Sequence, residues 1–206
     1  MSIILNALSG GSVALDAPTQ TTGSNDITFK LPVADGSANQ VLKTDGSGNL
    51  SFTADSGGLF SSYAIICDEK SSGTNGGAMS SGTWHTRDLN TEIADADGIV
   101  SISNNQFTLQ AGTYLIKASA PAYFVQDHMA KLYDVTASAD RAFGTSEYTN
   151  AAAMNRSIVI ARVTISGATT YEIRHKCANT KASNGFGEST GLGVEKYLIV
   201  EIYKES

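Results

Sequence analysis

From Gly58 to Ser206 the chain offers no amphipathic helical stretch longer than a turn. It delivers strand-length apolar runs instead, each closed by Gly, Asn, Asp or Ser. The runs fall at Phe60–Cys67, Trp84–Leu89, Gly98–Ile102, Gln106–Leu109, Thr113–Phe124, His128–Asp134, Ala142–Tyr148, Ser157–Ile165, Thr170–Cys177 and Lys196–Lys204. A succession of short strands without a helix predicts an all-β sandwich.

Alternation along the longest runs sorts side chains onto two faces. In the last strand Leu198, Val200 and Ile202 share one side, and Tyr197, Ile199, Glu201 and Tyr203 the other. Tyr114, Ile116, Ala118 and Ala120 oppose Leu115, Lys117 and Ser119; Val159, Ala161, Val163 and Ile165 oppose Ile158, Ile160 and Arg162. A sandwich sheet in a monomer has one wet face, yet these strands are apolar on both. Several such strands in one sandwich point to an outer face that meets other subunits; central strands crossed by a loop of the same chain are the alternative.

Residues 1–57 differ in kind. After Ile3-Ile4-Leu5 the apolar density is low, turn signals recur at Gly10-Gly11, Asn25-Asp26, Asp35-Gly36 and Asp45-Gly46, and the candidate strands are Ile27–Leu31, Gln40–Leu42 and Leu50–Thr53. The two Asp-Gly dipeptides are expected to supply positive φ for tight turns around the short strand. So little apolar surface cannot offset the ordering entropy of one chain, so the segment calls for partners. The boundary predicted here separates 1–57 from a head at 58–206.

A net charge of −6, with no run of Lys or Arg, argues against a nucleic-acid backbone as partner. The first residues lack a basic n-region, and no apolar run reaches the roughly 18 residues of a membrane span. The expectation is a chain made in a cytoplasm, without export signal or membrane insertion. Cys67 and Cys177, both in strand patterns, are read as reduced apolar thiols.

The string LPVADGSANQVLKTDGSGNLSF, Leu31 to Phe52, resembles a linker module of tail-fibre-like and other virion proteins of tailed bacteriophages, over about residues 27–53. The rest resembles the trimeric jelly roll of complement-component and tumour-necrosis-factor domains. Gly112-Thr-Tyr-Leu-Ile-Lys, Lys131-Leu-Tyr-Asp, the Ser157–Ile165 and Thr170–Cys177 hairpin and Lys196-Tyr-Leu-Ile-Val-Glu-Ile carry that likeness through their order. The added Tyr203-Lys-Glu-Ser departs from it. The resemblance implies a trimeric jelly-roll head behind an extended, turn-rich stalk, with Met1–Leu15 plugged into the particle. It also implies Leu115, Tyr197 and Ile199 at the subunit interface, where Lys117 and Arg162 need acceptors such as Glu201 across that interface or have to remain wet.

Candidate chemistry is sparse. His85, His128 and His175 lack metal-motif spacing and are read as solvated or hydrogen-bonded. Asp95-Ala-Asp-Gly, preceded by Glu92, lacks a complete calcium loop and is read as a turn. Phe186-Gly-Glu-Ser-Thr-Gly is no nucleophile elbow, and the Gly73, Gly185 and Gly191 clusters have no P-loop lysine. No enzyme and no cofactor are expected. Three loops, Ser71–Trp84, Val135–Thr149 and Thr180–Leu192, carry Trp84, Tyr148 and Phe186 as candidate surface aromatics for a host-surface glycan or protein. The expectation is a homotrimeric phage fibre, spike or capsid decoration, residing in the virion and joined to other virion proteins through residues 1–57. A bacterial jelly-roll carbohydrate-binding or signalling-like trimer is the alternative. A polysaccharide-cleaving spike would need a parallel β-helix repeat that is absent.

Overall fold

The computed structural model describes residues 3–6, 12–15, 18–21, 23, 26–55 and 58–206, the first two stretches by backbone alone. Every element assigned among them is a β-strand, and no helix there is long and apolar enough to cross a membrane. The chain divides into two compact units, 1–57 and 58–206.

In the first unit β1 (Ile3–Asn6) pairs antiparallel with β2 (Ser12–Leu15), and β3 (Gln40–Thr44) with β4 (Leu50–Ala54). The remainder of the expected particle plug at Met1–Leu15, including all its side chains, lies outside the described residues. Asp45 builds the β3–β4 turn: its carboxylate accepts the amides of Ser47 at 2.8 Å and Asn49 at 3.1 Å, and Gly46 takes φ 81°. The first Asp-Gly behaves otherwise. Positive φ falls on Asn39 (65°) rather than on Gly36, because the Gln40 side chain accepts the Ser37 amide and closes the turn locally. Ile27–Leu31 is no strand either. It contributes a single bridge, Lys30 to Asn49, because Gly48 brings its backbone against Thr28 O, where a Cβ would stand 2.4 Å away.

The second unit is two antiparallel sheets face to face. One runs β14 (Met154–Ile165), β10 (Gly112–Tyr123), β16 (Glu195–Glu205), β5 (Phe60–Lys70), β7 (Thr91–Ala94). The other runs β12 (Ala139–Phe143), β11 (Gln126–Asp134), β15 (Thr169–Cys177), β9 (Gln106–Leu109), β8 (Val100–Ser103), with β13 (Glu147–Thr149) and β6 (His85–Thr86) paired to β11 and β15. From β9 onward the chain changes sheet between β9 and β10, β10 and β11, β13 and β14, β14 and β15, and β15 and β16, which is the winding of a jelly roll. Tyr114, Ile116, Ala118, Ile202, Val200, Leu132 and Ile173 are among the side chains that fill the space between the sheets.

The stretch read as one strand, Ala142–Tyr148, is two. Gly144 donates to Ala130 O in one sheet while Thr145 donates to Ile158 O in the other. A Cβ on Gly144 would lie 2.7 Å from Ser157 Oγ, so this crossing between sheets admits glycine alone. Within Trp84–Leu89 only His85–Thr86 forms a strand; beyond it Arg87 and Leu89 turn inward and become fully buried.

Candidate functional site

Two surfaces and one buried network stand out in the head. The first surface is the outer face of the five-stranded sheet. Its rows, read across the register, are Arg162–Leu115–Tyr203–Tyr63, Ile160–Lys117–Glu201–Ile65 and Ile158–Ser119–Ile199–Cys67. Ile160 is 61 % exposed and Tyr63 55 %, while Leu115, Ile158, Ile199 and Ile65 are half-buried. The charges set among them are answered within the protomer. Lys117 Nζ lies 3.3 Å from its cross-strand partner Glu201, and Arg162 holds Glu205 through two bonds of 2.7 Å. Their expected acceptors across an interface are therefore supplied by the same chain.

Tyr197 does not belong to this face. A register shift between Lys196 and Ile199 breaks the alternation, so Tyr197 and Leu198 are both buried in the protomer. The Tyr197 hydroxyl donates to Thr74 O at 2.7 Å, and Gly187, at φ 143°, lies so close that a Cβ would stand 2.3 Å from the Tyr197 ring. Its cover is the protomer's own loop.

That loop also removes Phe186 from the surface. Phe186 is 6 % exposed and packs with Met79, Ala122, Val125 and Cys177. Flanking glycines made it look like a loop tip, but they let the backbone pack close to Met79 and Tyr197. Beneath it lies a network absent from the sequence reading. Arg87, fully buried, donates to Pro121 O at 2.8 Å and Phe186 O at 3.1 Å, and its guanidinium carbon sits 4.2 Å from the Phe186 ring centroid. Arg87 NH1 also reaches His175 Nδ1 at 3.4 Å, and His175 Nε2 meets His128 Nδ1 at 3.0 Å.

Arginine only donates, so His175 Nδ1 accepts and its proton sits on Nε2. That proton goes to His128 Nδ1, which leaves His128 Nε2–H as the terminal donor, without a partner among the described residues. Burial takes the Arg87 guanidinium down to about 9, against the pull of Asp68 and Asp88. Burial also holds His175 well below its ordinary value, helped by Arg87, and takes His128 down to about 4. Asp68 is fully buried and its carboxyl is raised by burial; Lys70 Nζ, 3.0 Å away, is its ion-pair partner.

Arg87→Met should lower the thermal midpoint of the head by several degrees. Two buried carbonyls lose their donor, each costing about 1–3 kcal/mol. A midpoint within a degree of wild type would remove Arg87 from its place as tie between β10 and the Phe186 loop.

The second surface is a cleft of about 690 Å3 lined by Ser81, Trp84, Asp127, His128, Glu147 and Lys176 among others. Trp84 is fixed from behind: Lys131 Nζ is 4.2 Å from its ring centroid and is itself held by Asp140 at 2.6 Å. Tyr148, half-exposed, is the register partner of Asp127, so their side chains share a face. Of the three expected surface aromatics, Trp84 lines this cleft, Tyr148 is half-exposed on β13, and Phe186 lies under the surface.

The remaining sequence candidates resolve into structure. Both carboxylate oxygens of Asp95 are taken by the amides of Ile99 at 2.8 Å and Val100 at 3.0 Å, so this is a turn. The Gly73 and Gly191 loops do gather amides around an anion, and it is the chain's own Glu195: Gly73, Thr190 and Gly191 donate to Oε1 at 3.2, 3.0 and 2.7 Å. These bonds hold the Glu195 carboxyl below the usual range. Both cysteines are free and buried, and burial pushes their thiols up, opposite to an activated nucleophile.

No family model and no curated protein matches the chain. Among solved structures it is similar to the globular domain of zebrafish complement 1qA protein, at 12 % identity and a TM-score of 0.44, over 69 % of this chain and 95 % of that one. It is similar to murine APRIL at 9 % identity and 0.46, over 69 % and 98 %. It is also similar to Eiger TNF from S. frugiperda at 11 % and 0.41, over 70 % and 92 %.

Proposed function

We propose that the protein is a non-enzymatic, homotrimeric structural component of a tailed-phage virion, a fibre or spike whose jelly-roll head projects outward for attachment to a host surface. The observation that carries the reading is the outer face of the five-stranded sheet. There Leu115, Ile199, Ile158, Ile160 and Ile65 are brought together on a sheet that one chain leaves half-covered. These apolar side chains lie on either side of the Lys117–Glu201 pair, and a monomer rarely leaves so much apolar surface to water. The first unit supports it: Phe29 is 60 % exposed, Leu31 76 % and Val33 fully, surfaces that identical copies or a virion partner would cover. The virion assignment itself comes from the wording of residues 27–53.

Native mass measurement should give three chains at micromolar concentration, and antibody against the head should decorate virions. Deleting residues 1–57 should abolish incorporation into particles while the head keeps its near-ultraviolet circular dichroism. A lone protomer at those concentrations, or virions that carry no head epitope, would overturn the respective half of the reading.

A further inference from the structure

We propose that the Trp84 cleft is a binding site for a neutral saccharide ring, and the proposal rests on the host-attachment reading above. His128 lines the cleft, but its Nε2 is sealed from solvent, so the groups the cleft offers a ligand are the Lys176 ammonium as donor, the carboxylates of Asp127 and Glu147 as acceptors, and the hydroxyls of Ser81 and Ser146, which both donate and accept.

That mixture selects among ligand classes. An anion such as a phosphate, sulfate or uronate suits Lys176 but meets the two carboxylates. A simple cation suits the carboxylates but meets Lys176. A ring of hydroxyls satisfies both sets, since each hydroxyl donates to a carboxylate and accepts from an N–H. The apolar component agrees. Trp84 and Met129 line the same cleft, and the C–H face of a pyranose lies well against an aromatic wall. The wall is pre-set, because Lys131, pinned by Asp140, holds the indole in place. The cleft volume of about 690 Å3 falls within the range of roughly 300–1,000 Å3 typical of small-ligand sites.

Trp84 is the single tryptophan of the chain, so its emission reports on this cleft alone. The full-length protein should be titrated with methyl glycosides of glucose, galactose and mannose, with N-acetylglucosamine, and with sialic acid and methyl glucuronide as acidic probes. A saturable change with at least one neutral probe is expected, weakened about tenfold or more in Asp127→Asn and in Glu147→Gln, since bonds to charged groups contribute about 1.5–3 kcal/mol. Asp127 is exposed, so its variant keeps the fold. Silence to every neutral probe at about 100 mM, response to the acidic probes alone, or affinity unchanged in both variants would each overturn the proposal. Adsorption of the protein to host cells is measured in parallel. Adsorption that protease treatment of the cells abolishes, with Trp84 silent, overturns the saccharide site and leaves the attachment reading standing. A Trp84 response without adsorption does the reverse.

Discussion

Acidification from neutral pH to about pH 5 should destabilise the head before the carboxylates that hydrogen bonds hold low begin to titrate. His175 and His128 are almost wholly buried, and neither has a carboxylate hydrogen-bonded to it among the described residues. What faces them is a cation, Arg87, on one side, with Glu147 and Asp127 acting on His128 only at a distance. Both rings are therefore neutral in the folded protein, with folded values depressed below about 6.5, to about 4 for His128. The unfolded chain binds protons that the folded one refuses. The contribution of these rings to stability is complete above pH 6.5 and is lost as pH falls, at about 1.4 kcal/mol per pH unit for each. By about pH 5.5 His128 removes about 1.4 kcal/mol, and His175 adds to the loss in the same direction, against a typical domain stability of about 5–15 kcal/mol.

Glu195, Glu205 and Asp45 are held low by hydrogen bonds and, for Glu205, by Arg162, so their stabilisation is present above the ordinary carboxylate range and is lost below it. That window lies below the histidine one, whereas Asp68, whose carboxyl burial raises, takes up its proton earlier and adds stability as pH falls. Urea midpoints at fixed protein concentration should fall between about pH 6.5 and 5 in the wild type, with a shallower slope in His128→Gln and in His175→Gln. Slopes that match the wild type in both variants would mean that the rings are not the neutral groups this chain requires.

Much of the head was legible because its determinants are local. The two-residue alternation of Tyr114, Ile116, Ala118 and Ala120 assigns the core face of β10, and all four side chains are fully buried. The same alternation fails at Tyr197, since an irregularity in the ladder with β5 puts two consecutive residues inward, and nothing in Lys196-Tyr-Leu-Ile announces it. The strand at Phe60 continues past Cys67 through Asp68-Glu-Lys, whose polarity reads as a strand end. There Asp68 is buried against Lys70 and under the field of Arg87, the first a neighbour in sequence and the second brought near only by the fold.

The cleft and the buried chain were illegible for a related reason. Arg87, His128 and His175 come from three strands or their flanks, and their relationship exists only once β11 and β15 are in register, His128 opposite Cys177. Each in isolation reads as an ordinary polar residue in a strand. Phe186 was misjudged because glycine neighbours signal a loop equally when the loop is a tip and when it is folded down onto a core. The one sequence signal that did survive assembly is the single Trp84, whose loop the fold returns to the β11–β13 edge.

Placing a charge in the middle of the outer five-stranded face should dissolve the proposed trimer and leave the protomer folded. Ile160→Arg and Ile65→Glu lie in one row on either side of the Lys117–Glu201 pair, each beside the residue whose sign it repeats. No opposite charge is free to take up the new one, because Lys117 and Glu201 already bind each other and Glu201 also accepts from the Tyr203 hydroxyl. In a lone protomer Ile160 is largely exposed, so its replacement falls within about 0.5 kcal/mol of neutral. Between subunits the same charge is buried without a partner, at about 3–5 kcal/mol for each copy, and threefold symmetry repeats it three times. A mass of one chain at concentrations where the wild type has three, with unchanged near-ultraviolet circular dichroism, is the expected result for both signs of charge. If either variant keeps the three-chain mass, the subunits meet elsewhere, and Leu115 and Ile199 are then merely the half-covered outside of an ordinary sheet.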